Sequence, residues 1–339
     1  MKLENSAFAI HSIVDGSTLG ALECPTSFTW SRELNEVSRC QVQAPKQELS
    51  TKLTPWVHWI SAWHDGALQW FGPIQEPTRD RTSMTIDARD VSTLMWHTRT
   101  QITRKWSQLN VAPIAADMWR DMLKLHGLKG MDPIVLPALA SASRYDVSAT
   151  ADQRMVQQDM SDLAKLGLRW TVVRGRPILG TQPTDIAAEL SDCDFTAGMS
   201  IRRSGAKTSN DVRVQGKNGA WTERRELAGL HLQSIVSLDD LFGVNNIQRA
   251  AAEYVGRSAV IRDELVIPQQ ATLTPDAPVE LDMLVPGINV SVTALDLRTI
   301  LRLDQVQVSG DPSGTKVAVS LSTPDNPSEL EKAGGTVQS

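Results

Sequence analysis

Three carboxylates in the middle of the chain, Asp159, Asp162 and Glu189, are of the type that glycoside hydrolysis uses as an acid and its partner base or nucleophile. Nothing in their spacing selects one pair, and such a hydrolase also needs a substrate cleft. The six histidines, at positions 11, 58, 64, 97, 126 and 231, form no HExxH frame and no close pair with a suitably spaced acidic third ligand. The nearest two, His58 and His64, read as surface strand positions. Asp192-Cys193-Asp194 offers two carboxylates to a hard cation, fewer oxygens than a calcium site gathers, and reads as a solvated loop. Lys207-Thr208 follows Gly205 without the GxxxxGK[ST] frame that cradles phosphate, and no GxSxG elbow presents a nucleophilic serine. Cys24, Cys40 and Cys193 are odd in number and lack a CxxC pair, which suits neither a disulfide framework nor a zinc site. The arginines of 79–81, Arg202-Arg203 and Arg224-Arg225 are each flanked by acids or turn residues, a pattern of solvated faces or subunit contacts more than of phosphate binding. The chain is therefore expected not to be an enzyme and to hold no metal and no cofactor.

The elements that must position these side chains belong to a chain of 339 residues, enough for two to four domains of ordinary size. Its 41% hydrophobic and 22% charged residues can build real cores, and a formal net charge of -5 gives no cationic field for tight nucleic-acid binding. No stretch approaches 18 apolar residues and the first twelve carry no apolar signal region, so a soluble protein made in the cytoplasm, with no membrane-spanning segment, is expected. Ten tryptophans against five phenylalanines and two tyrosines is unusual, and Trp30, Trp56, Trp59, Trp63, Trp70, Trp96 and Trp106 all lie in the first third.

Alternating apolar runs predict strands at 7–14, 27–32 and 39–43, the first ending at the turn pair Asp15-Gly16. Asp65-Gly66 between two aromatic-rich runs is a strong hairpin signal, with Val57, Trp59 and Trp63 on one strand face. A strand at 83–89 leads to Asp90, a good N-cap for a short helix through Val91, Leu94, Met95 and Trp96. Helical spacing then appears at Ile114, Met118, Met122 and Leu125, with Asn110 at the start and Gly127 at the stop. A second helix is predicted from the capping-box pattern at 150–153 through Met155, Val156, Met160, Leu163 and Leu166 to Gly167, followed by a hairpin across Arg174-Gly175-Arg176. Short strands return at Ile201 and 212–214, a helix at 246–255, and strands at 264–267, 271–273, 290–295, 301–308 and 316–321. The expected class is mainly β within α+β. A first β-barrel occupies 1–101, a small α/β module 102–195, a second β-barrel 196–321 with a helical insertion at about 222–262, and a flexible tail 322–339.

Two stretches resemble the hub proteins of long-tailed phage tails, relatives of the baseplate hub of contractile-tailed phages, and especially the minor tail proteins of siphoviruses that infect actinobacteria. In the first, the Asp65-Gly66 turn leads into Leu68 to Ile74 with Trp70, Gly72 and Ile74 as landmarks, and Met84 to Asp90 repeats an Ile-x-Ala-x-Asp pattern with Asp87 and Asp90. In the second, the alanine-rich run Ile247 to Tyr254 precedes Met283 to Val290, where Pro286, Gly287 and Val290 fit the family's Pro-Gly-x-x-Val turn. Asn289 departs from the acid or small residue usual there. The resemblance implies two tube-like barrels per chain and a homotrimer whose six barrels match a sixfold tail tube. It also implies a channel for tape measure protein and DNA in transit. Implied partners are a distal tail or tail tube protein, the tape measure protein, and other minor tail or receptor-binding proteins. Implied roles are genome ejection and host cell attachment, in the tail tip of a virion assembled in the host cytoplasm. Two other readings stay open: a tail-associated cell-wall hydrolase with its site in the middle module, and a carbohydrate-binding tail-tip module in which exposed tryptophans of 56–70 stack on sugars.

Overall fold

A computed structural model describes residues 6–22, 25–46, 52–138, 142–180, 185–198, 200–239, 241, 243–266, 272–294, 297–322 and 324. Cys24 and nearly all of the expected tail, 325–339, lie outside the described residues. Seven strands come first: β1 (Ser6–Ser12), β2 (Thr18–Leu22), β3 (Ser27–Glu33), β4 (Arg39–Pro45), β5 (His58–His64), β6 (Ala67–Arg79) and β7 (Ser83–Arg89). A 3-10 helix over Val91–Trp96 ends this part. The middle holds β8 (Arg104–Leu109), α1 (Val111–Leu125), β9 (Ile134–Val135), β10 (Tyr145–Ala149), α2 (Val156–Lys165), β11 (Arg169–Val173), β12 (Arg176–Gly180) and β13 (Ile186–Ser191). The remainder holds β14 (Ser200–Ser204), β15 (Asp211–Gly216), β16 (Gly219–Arg224), β17 (Gln233–Leu238), α3 (Val244–Ser258), β18 (Arg262–Val266), β19 (Asn289–Ala294), β20 (Leu297–Asp311) and β21 (Gly314–Ser322). The class is mainly β with few helices.

Period-two patterning explains the pairing. In β4 the buried residues are Cys40, Val42 and Ala44, in β7 they are Met84, Ile86 and Ala88, and the register sets Cys40 against Ala88, Val42 against Ile86 and Ala44 against Met84. A slip of one residue would turn both apolar rows outward. Asp65 and Gly66 both have positive φ (46° and 75°), the geometry of the tight turns whose twist matches a hairpin.

The two closed barrels expected from the strand pattern do not form among the described residues. Strands from 1–101 bond to strands from 196–321, with β3 antiparallel to β20 from Phe28↔Gly310 to Glu33↔Gln305, and with β13 (Ile186–Ser191) added beside β19 they make one 11-stranded sheet. Its order is β13-β19-β20-β3-β4-β7-β6-β5-β1-β2, with β21 added on β20. Alternation tells which face of a strand is buried, and it carries no information about which distant strand lies beside it.

One core lies on this sheet and draws on residues from Phe8 to Ala88 and from Ala188 to Leu321. A second core joins Trp59 and the 3-10 helix to α1, α2, the β11–β12 hairpin and the later segment from Val212 to Val255. In that later segment β15 pairs with β16 antiparallel and with β17 parallel, and α3 packs against this three-stranded sheet. The stretch at about 222–262, expected as a helical insertion, holds α3 and, ahead of it, the end of β16 and all of β17. The second helix also starts later than the capping-box pattern at 150–153 suggested. Residues 151–154 are held instead by the chain at Thr100, whose amide donates to Arg154 O at 2.8 Å while Asp152 N donates to Thr100 O at 2.9 Å. Met155 takes the N-cap position and Gln158 returns its side chain to the Met155 amide.

Candidate functional site

The landmarks Gly72, Ile74, Asp87 and Asp90 come together where β6 runs beside the end of β7. A Cβ on Gly72 would lie 2.0 Å from the Arg89 carbonyl oxygen and 2.7 Å from Asp90 Cα, so only glycine permits this approach. Ile74 is fully buried opposite Ala88, Trp70 is buried in the first core, and Asp87 Oδ1 accepts from Gln41 Nε2 at 2.7 Å. Asp90 is itself buried and caps the 3-10 helix. Its carboxylate accepts from the Ser92 amide and the Ser38 amide, both at 2.8 Å, and from the Ser92 hydroxyl.

Burial pushes the Asp90 carboxyl up to about 6, against the donors from Ser92 and Ser38 that pull it down. The folded protein then holds this proton more tightly than the unfolded chain, whose carboxyl titrates at about 4. The group's contribution to stability therefore falls as pH rises from about 4 to about 6. Denaturation midpoints measured across that window should show this decline in the native protein, and Asp90→Asn should remove it; an identical pH profile in both would contradict the assignment.

Pro286, Gly287 and Val290 lie elsewhere. Gly287 has φ +102° and its amide donates to Leu303 O at 2.7 Å, which starts the β19–β20 pairing. Pro286 and Gly287 line a cleft of about 50 Å³ with Leu34 and with Trp170 and Ile178 of the β11–β12 hairpin. Val290 is buried, in register with Leu301 on one side and Ala188 on the other. The landmarks thus form two separate groups.

Between them lies a polar network that sequence reasoning missed. Arg32 is completely buried in β3, with its guanidinium 5.3 Å from the Trp30 ring centre. It donates to Leu281 O at 3.1 Å and Leu284 O at 3.2 Å through one nitrogen, and to Gln69 O at 3.2 Å and Gln69 Oε1 at 2.5 Å through the other. Gln69 Nε2 in turn donates to Asp282 Oδ1 at 3.0 Å, and Arg174 pairs with Asp282 Oδ2 at 2.7 Å. Burial lowers the Arg32 pKa to about 10, and the guanidinium stays charged at neutral pH. Burial works to raise Asp282, yet the bonds from Gln69 and Arg174 and the nearby guanidinium charges hold it below the usual carboxylate range. Gln69 reaches this position because it is the extra residue of a bulge: the β5–β6 register passes from Ala62↔Trp70 to Trp63↔Leu68. The network ties β3, β6, the 281–284 segment and the β11–β12 turn into one rigid junction.

The residues singled out for chemistry are dispersed. Asp159 and Asp162 both pair with Arg154, at 3.4 and 2.7 Å, and Asp159 also accepts from Thr100 Oγ1, while Glu189 stands on β13 paired with Arg298 at 2.6 Å. The cleft beside Asp159 and Asp162 has a volume of about 20 Å³, too small for a sugar substrate. His58 and His64 sit at opposite ends of β5; His58 Nδ1 accepts from the Thr54 amide and His64 pairs with Asp65. Asp194 caps its own short helix by accepting from the Ser191 amide and hydroxyl. Arg202 and Arg203 stand opposite Glu264 and Asp263 in the β14–β18 register, and Arg224 pairs with Glu226 at 3.6 Å. Trp30, Trp59, Trp70 and Trp106 are core residues, whereas Trp56 and Trp96 are exposed. Among the described residues no helix is long and apolar enough to cross a membrane.

The fold is shared with solved structures. A tail protein from Neisseria meningitidis MC58 superposes with a TM-score of 0.65 at 13% identity, covering 94% of this chain and 96% of that one. The 43 kDa tail protein of prophage MuSo2 from Shewanella oneidensis gives 0.62 at 13% identity, covering 94% and 99%. A prophage tail protein from Listeria monocytogenes EGD-e gives 0.60 at 13% identity, covering 96% and 97%. No family model matches the sequence, and no curated protein matches it.

Proposed function

We propose that the protein is a structural subunit of a bacteriophage tail, a homotrimeric hub at the distal end of the tail that adapts a sixfold tube to a threefold tip. The observation that carries this reading is the likeness, over nearly the whole length of both chains, to three tail proteins, two of them from prophages. The sheet supports it. Among the described residues the sheet is open, with β2 at one end and β13 at the other, and proteins normally cover or close such edges. A ring of three copies joined head to tail covers such edges without leaving a growing end. The hub would surround a channel for the tape measure protein and for DNA in transit. It would contact a distal tail or tail tube protein and further minor tail or receptor-binding proteins, in the virion of a siphovirus of the type that infects actinobacteria. The hydrolase reading has less support, since Asp159 and Asp162 share one arginine beside a cleft of only about 20 Å³. Electron microscopy of the purified chain should show threefold rings with an open centre; filaments or single particles without a channel would overturn the reading.

A further inference from the structure

One opening remains outside that account, a cavity of about 320 Å³ at the edge of the second core, within the size range of small-molecule sites. Its floor is apolar, from Ile13, Leu94 and Leu128, and its walls are Trp56, His97 and His126. Among the described residues no carboxylate, ammonium or guanidinium lines it, so a charged ligand finds no partner among them. Burial, with His97 beside it, lowers the pKa of His126.

Trp56 is held in this wall at a backbone cost. Its φ is +68°, a region that bulky residues rarely adopt and that glycine takes freely. Its carbonyl accepts from Trp59 Nε1 at 3.0 Å, and its ring meets the His97 ring edge-on at 4.8 Å, which fixes the ring while leaving the residue 37% exposed. His126 Nε2 is engaged by Thr98 Oγ1 at 2.8 Å, which orients that imidazole and leaves Nδ1 for a ligand. An aromatic face, an apolar floor and two imidazoles that can donate and accept hydrogen bonds suit a ligand that has one apolar face and carries hydroxyls on its rim. That is the chemistry of a pyranose ring.

We propose that the Trp56–His97–His126 cavity binds one neutral hexopyranose unit of a saccharide, stacked on Trp56 and hydrogen-bonded by the two histidines. The site rests on its own geometry and stands whether or not the chain is a trimeric hub. Of the four tryptophans in the 56–70 stretch, Trp59 and Trp70 are buried and Trp63 is half-buried outside the cavity, which singles out Trp56 for the stacking role.

The test is titration of the full chain with methyl α-glucopyranoside and N-acetylglucosamine, followed by tryptophan fluorescence and saturation-transfer NMR, with glucuronate as the charged control. At least one neutral sugar should bind and glucuronate should not. Trp56→Gly should weaken that binding about tenfold or more while leaving the melting temperature unchanged or raised, because glycine relieves the backbone at φ +68°. His97→Ala should weaken it severalfold if Trp56→Gly fails to fold, and Trp96→Ala, an exposed tryptophan outside the cavity, should leave it unaltered. No binding of either neutral sugar, as when the cavity instead takes an apolar side chain of a neighbouring protein, overturns the proposal, and so does undiminished binding by both cavity variants.

Discussion

Arg32→Ala is expected to lower the unfolding free energy by about 3–5 kcal/mol, measured as a shift of the denaturant midpoint at constant slope. The substitution removes a buried cation together with the donors that satisfy Leu281 O, Leu284 O and both oxygens of Gln69. Each acceptor left dry costs about 1–3 kcal/mol, and water entering the space recovers part of the sum. Arg32→Lys should fall between native and alanine, since an ammonium keeps the charge without the fork that reaches two partners at once. The change should also loosen the link between the sheet and the β11–β12 hairpin, because Gln69 and Asp282 carry the network on to Arg174. A loss below about 1 kcal/mol, the size of an exposed pair, would mean that the guanidinium is not buried as described.

Gly72→Ala is the second large effect expected, a loss of at least about 3 kcal/mol or failure to fold. The added methyl would meet a backbone carbonyl at 2.0 Å, and no rotamer change can move that atom aside. To make room, β6 would have to leave the end of β7, which would disturb the Asp90 cap and the 3-10 helix over the second core. Gly66→Ala is the contrast: its Cβ would meet open space, and only the positive φ opposes it, for about 1–2 kcal/mol. Thermal unfolding of the two variants side by side should separate them clearly, and equal losses would show that close approach is not what Gly72 provides.

The local elements were legible because their signals are local. Asp65-Gly66, Asn110, Gly127 and Gly167 carry out the turn, cap and stop functions that their chemistry suggested. Among the strands that sequence reasoning passed over, β8 and β13 carry exposed residues such as Gln108 and Glu189 that blur any period, β10 alternates Tyr145, Val147 and Ala149 over only five residues, and β9 is two residues long. The single sheet was hidden for a different reason. The β3–β20 pairing joins residues more than 270 positions apart, as Gln305↔Glu33 shows, and nothing in either run names the other. Arg32 was hidden for the same reason, since its partners Gln69, Leu281 and Leu284 meet it only through the bulge and the far end of the chain. At the cavity the aromatic residues were noticed in sequence, but four tryptophans between 56 and 70 look alike until burial sorts them.

The central claim, a trimeric hub, is tested most directly by the native mass of the purified chain in solution, by light scattering or native mass spectrometry. One chain is 37.2 kDa, so the account predicts about 112 kDa, three times that value, with the fraction growing as concentration rises. A mass that stays at 37.2 kDa at high concentration would contradict it.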